Sequence, residues 1–134
     1  MTLQVRLVVP EGEIWAGAAD RLVAKTLDGD VGILSGHTPV LGILAPGSVV
    51  RILPQEPTAD GSWLQAAVGS GFLSVAADRV SILARDAVLG ADVDRAAVRA
   101  ELEVAMGDVQ SSPDDKSVRT GYLRAQLRAA GEEA

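Results

Sequence analysis

The residue pattern of this chain changes once, near Leu89, and that change constrains the fold more than any single residue does. Before it, short β-branched or apolar runs are separated by Gly, Pro and Asp. After it, Ala, Glu, Arg and Leu take over with helical spacing. Alternating short runs make sandwiches or barrels. The expected architecture is therefore mainly β plus α: an N-terminal β-sandwich of short antiparallel strands over residues 1–89, then a C-terminal two-helix hairpin over residues 90–134.

In the first part the alternation predicts strands over Leu3–Val9, Asp20–Leu27, Val31–Leu34, Val40–Leu44, Ser48–Leu53, Trp63–Val68, Gly71–Ala76 and Arg79–Ala84. Turn signals at Asp28-Gly29-Asp30, Ala45-Pro46-Gly47 and Ala77-Asp78 bound them, and Pro54–Ser62 reads as a longer surface loop. In the second part a helix is expected from an Asp92 N-cap to about Met106, with Val93, Ala97, Leu102 and Met106 as its apolar stripe and Ala100 and Ala105 beside it. Gly107 and Pro113 bracket a polar turn over Asp108–Asp115. A second helix is expected over Ser117–Ala130, carrying Val118, Tyr122, Leu123 and Leu127. Neither helix is long enough to be stable alone, so the pair must rest on the β part, on each other or on a partner.

Composition removes several classes of function. The chain has 134 residues, which suits one small domain with an appendage and leaves little room for separate substrate and cofactor domains. Aromatic residues make up 3% of it, too few for the stacking platforms of single-strand nucleic-acid binding. The formal charge of −6 repels phosphate backbones, so no nucleic acid is expected as a partner. Cysteine is absent and histidine occurs once, which excludes a thiolate nucleophile and a multi-His metal site within the chain. No metal or cofactor is expected. The N-terminus lacks a signal peptide's pattern and no apolar run nears the roughly 20 residues of a membrane span, so a cytoplasmic protein able to dock on a membrane complex is expected.

The most specific stretch runs Asp28-Gly29-Asp30-Val31-Gly32-Ile33-Leu34-Ser35-Gly36-His37-Thr38-Pro39-Val40-Leu41. Its glycines mark tight turns, and their spacing fits neither a Walker loop nor a dinucleotide fingerprint. Pro39 fixes its own φ and pushes Thr38 to an extended geometry. With Val9-Pro10-Glu11-Gly12-Glu13-Ile14-Trp15-Ala16-Gly17, Gly69-Ser70-Gly71-Phe72-Leu73-Ser74-Val75, Ser81-Ile82-Leu83-Ala84 and Val93-Asp94 in order behind it, the chain resembles the epsilon-subunit family of bacterial F-type ATP synthases along nearly its whole length. Ser35 departs from that family's pattern, which has Pro there.

The resemblance implies a non-catalytic rotor subunit at the cytoplasmic face of the cell membrane, coupling proton flow to ATP synthesis. It implies the gamma subunit and the membrane c-ring as partners, and the catalytic alpha/beta head as a further one through the helices. Asp28, Asp30, Gly36, His37 and Pro39 then fall at the edge facing the stalk and the ring. The family's nucleotide motif, Ile/Leu-Asp-x-x-Arg-Ala, survives only in part as Val93-Asp94-Arg95-Ala96-Ala97-Val98, with Arg95 and Arg99 some 160° around the helix from the vacant position 97. The isolated chain is accordingly expected to bind ATP weakly or not at all, with Val93, Asp94 and Arg99 as a remnant.

Other readings stand beside these. His37, flanked by Gly and Thr, reads as a hydrogen-bonded loop residue rather than a general base. Ser35, Ser70 and Ser74 lack the strand-to-helix elbow of a nucleophile, and Asp28 and Asp30 read as solvated turn residues rather than cation ligands. Lys116, Arg119, Arg124 and Arg128 make a basic segment in an acidic chain: either a solvated face or an arm for acidic surfaces. A stand-alone β-sandwich adaptor or small-ligand module is the alternative function, and an enzyme the weakest.

Overall fold

In a computed structural model, described over residues 2–56 and 63–132, nine strands precede a short 3-10 turn and two helices. The strands are β1 (Leu3–Val9), β2 (Gly12–Thr26), β3 (Gly29–Leu34), β4 (Val40–Leu44), β5 (Ser48–Pro54), β6 (Leu64–Val68), β7 (Gly71–Ala76), β8 (Arg79–Ala84) and β9 (Ala87–Leu89). Residues 57–62 of the expected Pro54–Ser62 loop, and 133–134 at the end of the expected hairpin, lie outside the described residues.

Strand β2 has fifteen residues and joins two layers. Its first half pairs antiparallel with β1, its second half with β3 and β5. One layer is thus β4–β7–β8–β1 with the start of β2, and the other is β3, the end of β2, β5, β6 and β9. All pairs but one are antiparallel; β1 and β8 run parallel. Only the end of β2 was expected from its sequence. Gly12–Ala19 is rich in Gly and Ala, which favour strands weakly, and pairing with β1 makes it a strand. Strand β9 was not expected either; three residues against β6 carry too short a pattern to read.

Alternate side chains of both layers meet in one core containing Leu3, Leu7, Leu22, Ile33, Leu44, Ile52, Leu73 and Ile82, each fully buried. Burying such a side chain contributes about 1.5–3 kcal/mol, so this core holds the β part together.

Helices α1 (Arg95–Met106) and α2 (Pro113–Ala129) begin at points other than those expected. Asp92 ends the 3-10 turn Gly90–Asp92, and the cap of α1 is Asp94, whose carboxylate accepts from Ala97 N at 3.1 Å. The inward face is then Val98, Leu102 and Ala105, packed on Leu123 and Leu127 of α2, while Ala97, Ala100 and Met106 face solvent. Helix α2 starts at Pro113, four residues before the expected Ser117. Ser112 caps it by accepting from Asp115 N at 3.1 Å, and proline suits the first helical position because its missing N–H would have had no partner. Val118 is exposed.

Helix α2 lies on the outer face of β5, β6 and β9 through Ala125 and Ala129 against Ala67, with Tyr122, Val49 and Val88 alongside. Its backbone comes close enough that a Cβ on Gly90 would stand 1.9 Å from the Ala129 carbonyl oxygen, and one on Gly47 would stand 2.8 Å from the Gly121 carbonyl carbon.

Candidate docking surface

An antiparallel sheet with one face in water alternates apolar inward and polar outward residues. The outer face of β4, β7, β8 and β1 departs from this at one row. Ile43 pairs with Phe72, Phe72 with Leu83, and Leu83 with Val8, so four apolar side chains cross four strands side by side. Ile43, Phe72 and Leu83 are 52, 52 and 51% exposed, and Leu27 and Pro10 extend the row at its ends. Together they line an open groove of about 580 Å³ with hardly any polar surface. The next row, Leu41–Ser74–Ser81–Arg6, turns polar except for Leu41, which is 75% exposed. A contiguous apolar patch of this kind marks an interaction surface. None of these residues was singled out as a site from the sequence, although apolar pairs such as Phe72-Leu73 and Ile82-Leu83 signal strands apolar on both faces.

The loop between β3 and β4 adjoins this face. Gly36 takes φ +85°, His37 N donates to the Leu34 carbonyl at 3.1 Å, and His37 Nδ1 lies 2.6 Å from the Thr38 carbonyl, so that nitrogen carries the proton. Pro39 is exposed and leads into β4. Across from the loop, the carboxylate of Asp78 accepts from Gly36 N at 2.7 Å and from Ser35 Oγ at 2.9 Å. The Gly36 amide and then the Ser35 hydroxyl hold the Asp78 carboxyl below the usual carboxylate range. Asp28 and Asp30 sit apart from the loop in the exposed β2–β3 hairpin, where Thr26 Oγ1 donates to the Gly29 carbonyl at 2.8 Å and Asp30 stands opposite Lys25 in the strand register.

The basic segment is distributed rather than gathered on one face. Arg128 donates to the Gly47 carbonyl at 2.9 Å, Arg124 approaches Met106 Sδ at 3.7 Å, Arg119 is exposed and Lys116 half-buried. Because α2 starts at Pro113, its first turn also carries Asp114 and Asp115, so the helix is not purely basic. On α1, Val93 packs beside the helix–helix core and Asp94 is engaged as the cap. Arg99 Nε donates to Glu132 Oε1 at 3.1 Å, and Arg95 donates to the Ala130 carbonyl with its Nε 3.8 Å from Glu132 Oε2. Glu132 thus ties the end of α2 to the start of α1, a pairing across 33 residues that no local pattern announces.

A nine-stranded sandwich with an apolar outer row and a docked helical pair defines a small scaffold subunit. Its family is shown by comparison: the family model for the ATP synthase Delta/Epsilon chain, beta-sandwich domain, matches residues 2–90. The chain is 45% identical to the ATP synthase epsilon chain of Thermobifida fusca, over 98% of this chain and 93% of that one. It is 48% identical to that of Frankia casuarinae over 66% of this chain and 99% of the relative. A chain of the Euglena gracilis mitochondrial ATP synthase, solved by cryo-EM as OSCP/F1/c-ring, superposes with a TM-score of 0.77 at 21% identity, covering 98% of this chain and 82% of that one. The protein belongs to the ATP synthase epsilon chain family. Among the described residues no helix is long and apolar enough to cross a membrane.

Proposed function

We propose that the chain is the non-catalytic central-stalk subunit of an F-type ATP synthase, held at the cytoplasmic face of the cell membrane by its complex. The outer face of β4, β7, β8 and β1 packs on the gamma subunit. The Gly36–Pro39 loop and the Asp28–Asp30 turn stand toward the stalk and the c-ring, and the α1–α2 hairpin restrains ATP hydrolysis at the alpha/beta head when it leaves the sheet. The sandwich, residues 1–89, is the anchoring unit and the hairpin the regulatory one; a beta-sandwich family model that ends at residue 90 supports that division.

The observation that carries this reading is the exposed row Ile43–Phe72–Leu83–Val8. A small-ligand module would need an enclosed pocket with a few convergent polar groups, and this groove is open and almost wholly apolar. Phe72→Asp places a charge in the middle of the row without touching the core. It should leave thermal unfolding unchanged and weaken binding to purified gamma by about 2 kcal/mol or more, roughly thirtyfold. Native-strength binding by this variant sinks the assignment of the face.

A further inference from the structure

The turn between β7 and β8 is built from residues that suit it poorly. Ala77 and Asp78 take φ +50° and +61°, the left-handed values that such a two-residue hairpin requires at both positions. Asn-Gly or Gly-Gly would adopt them at less cost, since a Cβ crowds the following carbonyl there. Strain that persists where glycine would relieve it points to a task for the side chain. The Asp78 side chain has one within reach: its two carboxylate oxygens accept from Gly36 N and from Ser35 Oγ, 42 and 43 residues away in sequence. Its own carbonyl accepts from Gln4 N at 2.8 Å. Three segments therefore meet at Asp78, and the one without regular structure is the loop that leads through His37 and Pro39 to the exposed Leu41.

We infer that Asp78 is a positioning residue for the docking loop, fixing Ser35 and Gly36 so that His37, Pro39 and Leu41 are presented in one arrangement to gamma. The inference rests on the docking role proposed for this face. The carboxylate touches no partner itself and acts by removing the freedom of a glycine whose φ of +85° leaves it many alternatives. Ser35 completes the clasp, because a serine at this position supplies the hydroxyl donor that a proline would lack.

Asp78→Gly separates positioning from stability, because glycine relaxes the turn while deleting the carboxylate and keeping the carbonyl that Gln4 uses. In the full-length chain it should unfold at the same temperature or higher. The Gly36 amide resonance should move upfield and exchange faster with solvent, and gamma binding should weaken about three- to tenfold. Asp78→Asn, which can accept from Gly36 N and donate to Ser35 Oγ, should restore most of that binding, and Ser35→Ala should lose less than Asp78→Gly does. If Asp78→Gly binds gamma at native strength, or Asp78→Asn binds no better than the glycine variant, the positioning role is wrong. Phe72→Asp, run in parallel, separates this from the larger reading: native binding by that variant indicts the docking face, whereas weakened binding there with native binding by Asp78→Gly indicts only the clasp.

Discussion

The sandwich and the hairpin are held by different forces. The sandwich buries Leu, Ile and Val from both layers in one continuous core, and its largest side chains are fully enclosed. The hairpin rests on it mainly through alanines and glycines, with Tyr122, Val49 and Val88 only partly buried beside them. Val98, Ala105, Leu123 and Leu127 form its own small core, while Ala67, Ala125 and Ala129 make the seam to the sheet. Small residues permit close approach but remove little apolar surface from water, so this seam contributes little per residue. One polar tie makes up part of the difference, Arg128 to the Gly47 carbonyl, while Arg95 and Arg99 hold α1 to the end of α2 within the hairpin. Such ties are specific and easily broken, which suits the mobile arm proposed above.

The largest effect that sharpens this contrast is in the core. Leu22→Ala should lower global stability by about 2–5 kcal/mol in denaturant unfolding. Leu127→Ala should instead speed hydrogen exchange in α1 and α2 and leave the slowest sandwich amides unchanged. Equal loss of protection in both regions would show that they form one cooperative unit.

Next comes the seam. Gly90→Ala drives a methyl group into the Ala129 carbonyl, a backbone atom that cannot turn aside. Hydrogen exchange should report an undocked α2 over an intact sandwich.

Alkali should act on the same seam. Tyr122 is the chain's one tyrosine, and burial, then the Asp86 charge, push its hydroxyl from its ordinary value of 10 up to about 12. Its folded-state value is raised, so the docking it supports is complete below pH 10 and is lost as pH climbs through 12. Phenolate absorbance and helix exchange should change together in that window. Tyr122→Phe should abolish the absorbance change and make docking independent of pH there.

The smallest effect is expected at the polar tie. Glu132→Gln should weaken hairpin closure by about 1 kcal/mol at low salt, read from exchange at the start of α1, and by less at high salt, because the two arginines remain more than half exposed. An effect that salt does not reduce would mean that the tie is not electrostatic.

The change from strands to helices near Leu89, six of the nine strands to within a residue or so and the hairpin's existence follow from the sequence, because alternation, turn residues and helical spacing are local properties. The reading of His37 as a hydrogen-bonded loop residue was legible too, and its Nδ1 meets the Thr38 carbonyl. Tertiary structure decided the rest. Gly12–Ala19 becomes a strand only because β1 lies beside it. The inward face of α1 is Val98, Leu102 and Ala105 because the cap falls at Asp94, and which of two nearby aspartates caps depends on where the preceding 3-10 turn ends. The apolar outer row exists only once four strands are in register, and the Asp78 and Glu132 ties join residues more than thirty positions apart. Periodicity says which way a side chain points from its own strand or helix, but which distant side chain stands beside it is set by strand register and helix docking, and these are determined only when the core closes.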